Sequence, residues 1–198
     1  MTQPLQFVAP EELARANFYG LIARLFYTPP DAQLISELLR APPIEGDTQL
    51  AAAWRGMVEA CRSAFPVTLE HEHTELFVGT GKAEVTPYLT HYVVQYATDN
   101  PLVRLRQQLA AWGMGRQEEV PEYEDHVSGV CEAMRFAIAV QHRSPEEQRD
   151  FFERFVHPGA IPFCDAVSAS NNARFYQHVA RFARAFFDIE KSAFEMVG

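Results

Sequence analysis

Between Arg116 and Arg135 the chain carries no Lys or Arg, and Glu118, Glu119, Glu122, Glu124 and Asp125 crowd there against His126. A carboxylate beside an imidazole can move protons, and grouped carboxylates can receive a cation or a guanidinium. Pro121 followed by acids also suits a helix start, because the N-terminal end of a helix carries partial positive charge. Asp125 is then a candidate N-cap. Behind it Val127, Val130, Cys131, Met134 and Ile138 recur at helical spacing, a stripe that seats the helix in a core and leaves the acids at its mouth.

Three other patterns carry weaker chemistry. His71-Glu72-His73-Thr74-Glu75 puts His71 and Glu75 on one helix face, a start on a metal site, but Glu stands where HExxH requires its second His. With no third ligand set nearby, a solvated helix face is the plainer reading. Gly79-Thr80-Gly81-Lys82 resembles part of a phosphate loop, yet it lacks the GxxxxGK[ST] spacing and follows no strand pattern. Cys61, Cys131 and Cys164 are widely separated and odd in number, which fits neither a disulfide framework nor a CxxC site, so reduced core cysteines are expected.

The elements that position these residues read as helices. Residues 10–27 place Leu13, Phe18, Leu21, Ile22, Leu25 and Phe26 on a stripe that Pro29-Pro30 ends, and residues 31–40 make a short second helix. Asp47 is a plausible N-cap for a third, with Leu50, Trp54, Met57, Val58 and Cys61 inward up to Phe65. A fourth spans residues 68–77 and stops at Gly79. Residues 78–100 keep no helical period and read as an ordered, irregular connection, a possible hinge between subdomains; the best strand signal of the chain, residues 92–96, lies here. Pro101 opens a fifth helix, with Leu102, Leu105, Leu109 and Trp112 inward. The acidic helix runs to about Arg143, and Ser144-Pro145-Glu146-Glu147 is a capping box for the next. A short helix is expected over residues 163–168. A last, long one from about Asn172 buries Phe175, Val179, Phe182 and Phe186.

Nine of the fifteen phenylalanines stand at or after Phe151, so the final third buries a large aromatic surface, within itself or across a subunit boundary. The expectation is an all-α chain, a single helical domain over residues 1–198 with roughly eight to ten helices. At 198 residues it can bury a core without staples. A formal charge of -9 disfavours nucleic acid and anionic membrane surfaces and favours basic partners. No apolar run approaches the ~20 residues of a membrane span, and residues 1–15 lack a basic region followed by an apolar one. A cytoplasmic location is expected.

Taken together, these segments resemble the TorD/DmsD/NarJ family of cytoplasmic chaperones for molybdenum enzymes, along nearly the whole chain. The most specific piece is an acidic residue, a spacer and Asp-His at a helix start, here Glu122-Tyr123-Glu124-Asp125-His126. Next is Leu76-Phe77-Val78-Gly79 followed by the proline-containing loop Pro87-Tyr88-Leu89-Thr90-His91-Tyr92. Pro101-Leu102-Val103-Arg104-Leu105-Arg106, Phe151-Phe152 and Phe175-Tyr176 support it. Family members often carry Ser at the place of Thr90, and a Pro-Trp pair in the segment that here reads His157-Pro158-Gly159-Ala160-Ile161-Pro162-Phe163, with no Trp; any role of that tryptophan does not carry over.

The resemblance implies an all-helical, TorD-like bundle that binds the twin-arginine signal of a molybdenum-containing oxidoreductase and delays its export until its cofactor is in place. It implies no catalysis and no cofactor of its own. Glu122, Glu124 and Asp125 are expected to face the two arginines, since carboxylates match guanidinium forks. His126 orients Asp125 or lines the groove, and Leu76, Phe77, Gly79, Pro87, Tyr88 and Tyr92 complete a groove for the apolar part of the leader. Formate dehydrogenase is the suggested client, and exchange of helical halves through residues 78–100 allows a homodimer. Two other classes stand beside this: a small helical enzyme or metal protein using His71/Glu75 or Asp125/His126, and a generic helical module for a basic partner.

Overall fold

The structure, a computed structural model, describes residues 9–79, 82–94, 100–115 and 121–197. Glu118, Glu119, Thr80, Gly81 and the end of the expected strand signal, Gln95 and Tyr96, lie outside the described residues. Among the described residues are nine α-helices: α1 (Pro10–Tyr27), α2 (Ala32–Arg40), α3 (Gln49–Cys61), α4 (Pro66–His73), α5 (Pro101–Ala111), α6 (Val127–Ala139), α7 (Pro145–Phe151), α8 (His157–Ala169) and α9 (Phe175–Val197). The fold is all-α, as the periodicity predicts. Among the described residues the β-geometry is a single antiparallel bridge, Tyr88 with His126. No helix among them is long and apolar enough to cross a membrane.

Local chemistry explains most boundaries. Asp31 caps α2 through the Leu34 amide at 2.7 Å, and Ser144 and Glu147 form the full capping box of α7. At α3 the cap is Thr48 rather than Asp47, accepting from the Ala51 amide at 3.1 Å, and the helix closes at Cys61, short of Phe65. α4 opens at Pro66, two residues ahead of the expected start, where a missing amide proton costs nothing. The expected short helix over 163–168 is a full α8, joined to α7 through a π-helical turn, Phe152–Val156. Pro162 sits inside it; Ala160, Phe163, Cys164 and Val167 are buried on either side, and their burial outweighs the lost backbone bond.

The largest correction concerns the acidic stretch. Helix α6 begins at Val127, and its N-cap is His126, whose Nδ1 accepts the Ser128 amide at 3.2 Å. Asp125 is not the cap, and Glu122 to Asp125 form a turn ahead of the helix. The helix also closes at Ala139 rather than near Arg143.

α1 packs against α6, with the Gly20 position against the Arg135 side chain and the Tyr27 ring 6.4 Å from His126, so the two helices run antiparallel. α9 crosses α3 and α8. Its Phe182 meets Phe18 at 5.5 Å and Trp54 at 5.4 Å, and Phe186 meets Tyr19 at 4.9 Å. The late phenylalanines thus fill the chain's own core, in edge and tilted contacts that suit the ring quadrupole.

One polar network crosses this core. Glu190 on α9, 1% exposed, accepts from Arg15 Nε at 2.7 Å and Nη2 at 2.8 Å and from the Tyr19 hydroxyl at 3.0 Å. Arg15 also donates to Gln148 of α7 at 2.9 Å. Removing one member strands the other's buried charge, so Glu190→Ala should destabilise the fold by about 3 kcal/mol. Denaturant unfolding measures this; a loss below about 0.5 kcal/mol, ordinary for a surface change, would contradict it.

Candidate functional site

The site is built where two irregular segments meet. After α4 a π-helical turn, Thr74–Val78, ends at Gly79, whose φ is +66° and whose amide donates to the Thr74 carbonyl at 2.7 Å. A β-carbon there would lie 2.2 Å from the Lys82 carbonyl oxygen, so the reversal requires glycine. The chain then returns as a strap, with the Val85 amide on the Leu76 carbonyl at 2.8 Å.

The strap pairs with the entrance to α6. Leu89 donates to the Asp125 carbonyl and Val127 to the Pro87 carbonyl, both at 2.8 Å. Side chains reinforce the bridge: the Tyr88 hydroxyl donates to Glu122 and the Thr90 hydroxyl to the Asp125 carboxylate. Beneath it, Leu89 presses on α8 so closely that a β-carbon on Gly159 would lie 2.5 Å from its carbonyl oxygen.

Beside this junction opens a cleft of about 1110 Å³ between α1, α2, the end of α5 and α6 as far as Phe136. Glu122, Tyr123, Glu124, His126 and Ser128 line its mouth, and Leu21, Tyr27, Leu109, Met114 and Phe136 give it apolar walls. The wall from α1 has no local motif to announce it. The available signal is a stripe too wide for one core face, since Leu13 is 49% exposed and Leu21 only partly buried, while Tyr19, Ile22 and Leu25 are at 0%.

Charges at the mouth are largely paired. Glu37 faces Arg24 at 3.3 Å, Glu132 faces Arg135 at 2.7 Å, and Glu124 accepts from Arg106 Nε at 2.9 Å. The partner of Glu122 is different in kind: the neutral Tyr88 hydroxyl, whose pKa is pushed up by burial and by Glu122 itself. Asp125 is 3% exposed, with Oδ2 on Thr90 and Oδ1 buried without a partner; it is held by Thr90, not by His126. Burial lowers the His126 pKa to about 4, against an opposing pull from Glu122, so the ring is neutral and can act as the cap acceptor.

The remaining expected groove residues separate. Tyr88 stands half-buried at the cleft's edge, its ring 5.5 Å from His126. Pro87 is buried in the strap, and Tyr92, half-buried, donates its hydroxyl to the Thr86 carbonyl at 2.9 Å. Leu76 is fully buried and Phe77 is 7% exposed, packed on Phe26 at 5.7 Å and Tyr176 at 5.1 Å. In this conformation both belong to the core.

The His71 to Glu75 pattern also dissolves into separate roles. His71 and Glu75 form an exposed pair at 3.3 Å. Glu72 turns inward and accepts the amides of Arg174, Phe175 and Tyr176, at 2.8, 3.2 and 2.8 Å, closing the start of α9. His73 approaches the Phe26 carbonyl at 3.4 Å. Among the described residues no three His, Cys, Asp or Glu side chains are grouped to hold a metal. Burial raises the pKa of all three thiols, that of Cys61 to about 11, which leaves them protonated at neutral pH.

Residues 45–188 match the protein family described as Nitrate reductase delta subunit. The chaperone protein TorD of Shewanella loihica is 24% identical over 216 residues, covering 98% of this chain and 99% of that protein. A crystal structure from Archaeoglobus fulgidus, described as a redox enzyme maturation protein, superposes with a TM-score of 0.55 at 17% identity, covering 96% of this chain and 99% of that one. That likeness concerns the fold.

The neutral cap has a pH signature. The folded pKa of His126 lies below the ordinary value of 6.5, so protons favour the unfolded chain. Its contribution is complete above about pH 6.5 and is lost as pH falls toward 4, by as much as about 3 kcal/mol. His126→Asn keeps a cap acceptor without a titrating ring, so it should lose less stability than the parent between pH 7 and pH 4.5. Equal losses in paired denaturant titrations would refute the neutral-cap assignment.

Proposed function

Because the chain belongs to the nitrate reductase delta subunit family, which includes TorD, we propose that it is a maturation chaperone for a redox enzyme. It binds the twin-arginine leader of a molybdenum-containing oxidoreductase in the α1–α6 cleft and holds that client in the cytoplasm until its cofactor is in place. Formate dehydrogenase is the client we favour. The work is recognition rather than catalysis.

The observation that carries this reading is Glu122. At the mouth of a cleft with apolar walls, its carboxylate rests on a neutral hydroxyl, whereas Glu37, Glu124 and Glu132 each face an arginine. A client guanidinium gains a charge-assisted bond there in exchange for a neutral one. The apolar segment of a leader then has Leu21, Tyr27, Leu109, Met114 and Phe136 to lie against. The net charge of -9 favours encounter with a basic leader. Asp125, buried and bonded to Thr90, supports the site from behind by holding the strap.

Calorimetric titration of the client's leader peptide tests this. Glu122→Gln, nearly isosteric and uncharged, should weaken binding roughly tenfold, equivalent to about 1.4 kcal/mol. Raising ionic strength from about 0.05 M to about 0.5 M should also weaken it, since exposed charges are then screened within a few ångström. Affinity unchanged by both, with the fold intact, would reject the acidic cleft as the receptor.

A further inference from the structure

The mouth of the cleft already holds a guanidinium in the way a ligand would be held. Arg106, on α5, donates Nε–H to Glu124 at 2.9 Å, and its Cζ lies 5.8 Å from the centre of the Tyr123 ring. A carboxylate on one edge and an aromatic face beneath is an arrangement that suits a planar guanidinium better than a compact ammonium. Glu124 and Tyr123 both line the cleft, and Tyr123 is 54% exposed, so its ring is open to a second occupant.

A separate observation points to an outside ligand. Ser128 lines the same cleft, is 5% exposed, and its hydroxyl has no hydrogen-bond partner. A buried hydroxyl left unmatched is unusual in a folded chain, and a donor entering from the cleft would satisfy it.

We propose that Glu124 and Tyr123 form an arginine subsite, filled in the free protein by the chain's own Arg106 and taken over by one arginine of the client's leader. This rests on the leader reading above and assigns its two guanidinium groups to different places, one at Glu122 and one at Glu124 and Tyr123. Arg106 is suited to the role of stand-in. Its side chain is 43% exposed and that of Glu124 is 16% exposed, so the pair is partly screened and weak, and Arg106 can swing to water when displaced. Tyr123 becomes the residue that separates arginine from lysine.

The test uses the full chain, labelled with 15N, and two short probes, the tetrapeptide amides Ala-Arg-Arg-Ala and Ala-Lys-Lys-Ala. The diarginine probe should shift the Arg106 Nε–H resonance, and Arg106→Gln, which removes the competitor, should tighten its binding by roughly two- to fivefold. Tyr123→Leu should weaken the diarginine probe and leave the dilysine probe unchanged. An Arg106 resonance that stays fixed at saturation, or Arg106→Gln affinity that is unchanged or weaker, overturns the subsite; so does a diarginine probe that does not bind. If the full leader nonetheless binds, the leader reading stands without the subsite. If the probes behave as expected but the full leader binds no more tightly than the diarginine probe, the subsite stands and the leader reading falls.

Discussion

Two backbone hydrogen bonds hold the functional end of this protein together: Leu89 to the Asp125 carbonyl and Val127 to the Pro87 carbonyl. They are the main-chain joints between the strap and the entrance to α6, and each side chain of interest hangs from one side or the other. Once the bridge forms, Tyr88 is placed to reach Glu122 and Thr90 to reach Asp125, while the amides and carbonyls of 125 to 127 are partly used up. The helix can therefore start only at Val127, and His126 falls at the cap. Acids that would have been helix-start residues are displaced into a turn and presented to the cleft.

The electrostatics of that turn follow from where each group is seated. Asp125 and His126 are buried; burial holds the imidazole neutral, and the carboxylate accepts from the Thr90 hydroxyl. Glu122 and Glu124 are only partly buried, Glu122 accepting from the Tyr88 hydroxyl and Glu124 from Arg106. Four carboxylates and two arginines line the cleft, and a third arginine, Arg106, pairs with Glu124 from beside it, so the site stays acidic although three of its four carboxylates face an arginine. What distinguishes positions within it is the kind of partner each carboxylate has, rather than the number of charges.

Periodicity and turn chemistry were enough to read the helices. Ser144 with Glu147, Gly79 and the phenylalanine face of α9 all act as their spacing suggests, because those signals are local or arise from one amphipathic face. What could not be read was decided by contacts distant in sequence. The acidic turn yields to the strap, 34 to 35 residues earlier at Tyr88 and Thr90. Leu76 and Phe77 look like groove residues beside Gly79, but the aromatic core of Phe26, Phe163 and Tyr176 takes them in. The α1 wall of the cleft is invisible locally because Leu21 reads as one more core position. The family resemblance pointed to the acidic turn, whereas the helix boundary and cap within it needed the three-dimensional bridge.

Glu72 has a consequence for how the molecule is completed. The amide just before α9, Arg174, and the first two within it, Phe175 and Tyr176, have their acceptor 102 to 104 residues back along the chain, on α4. α9 thus lacks a self-sufficient beginning, and its opening turn gains full satisfaction only where α4 already stands. Closing so long a loop is entropically expensive. Through this one carboxylate the start of α9 is tied to α4, so the two helices are completed together.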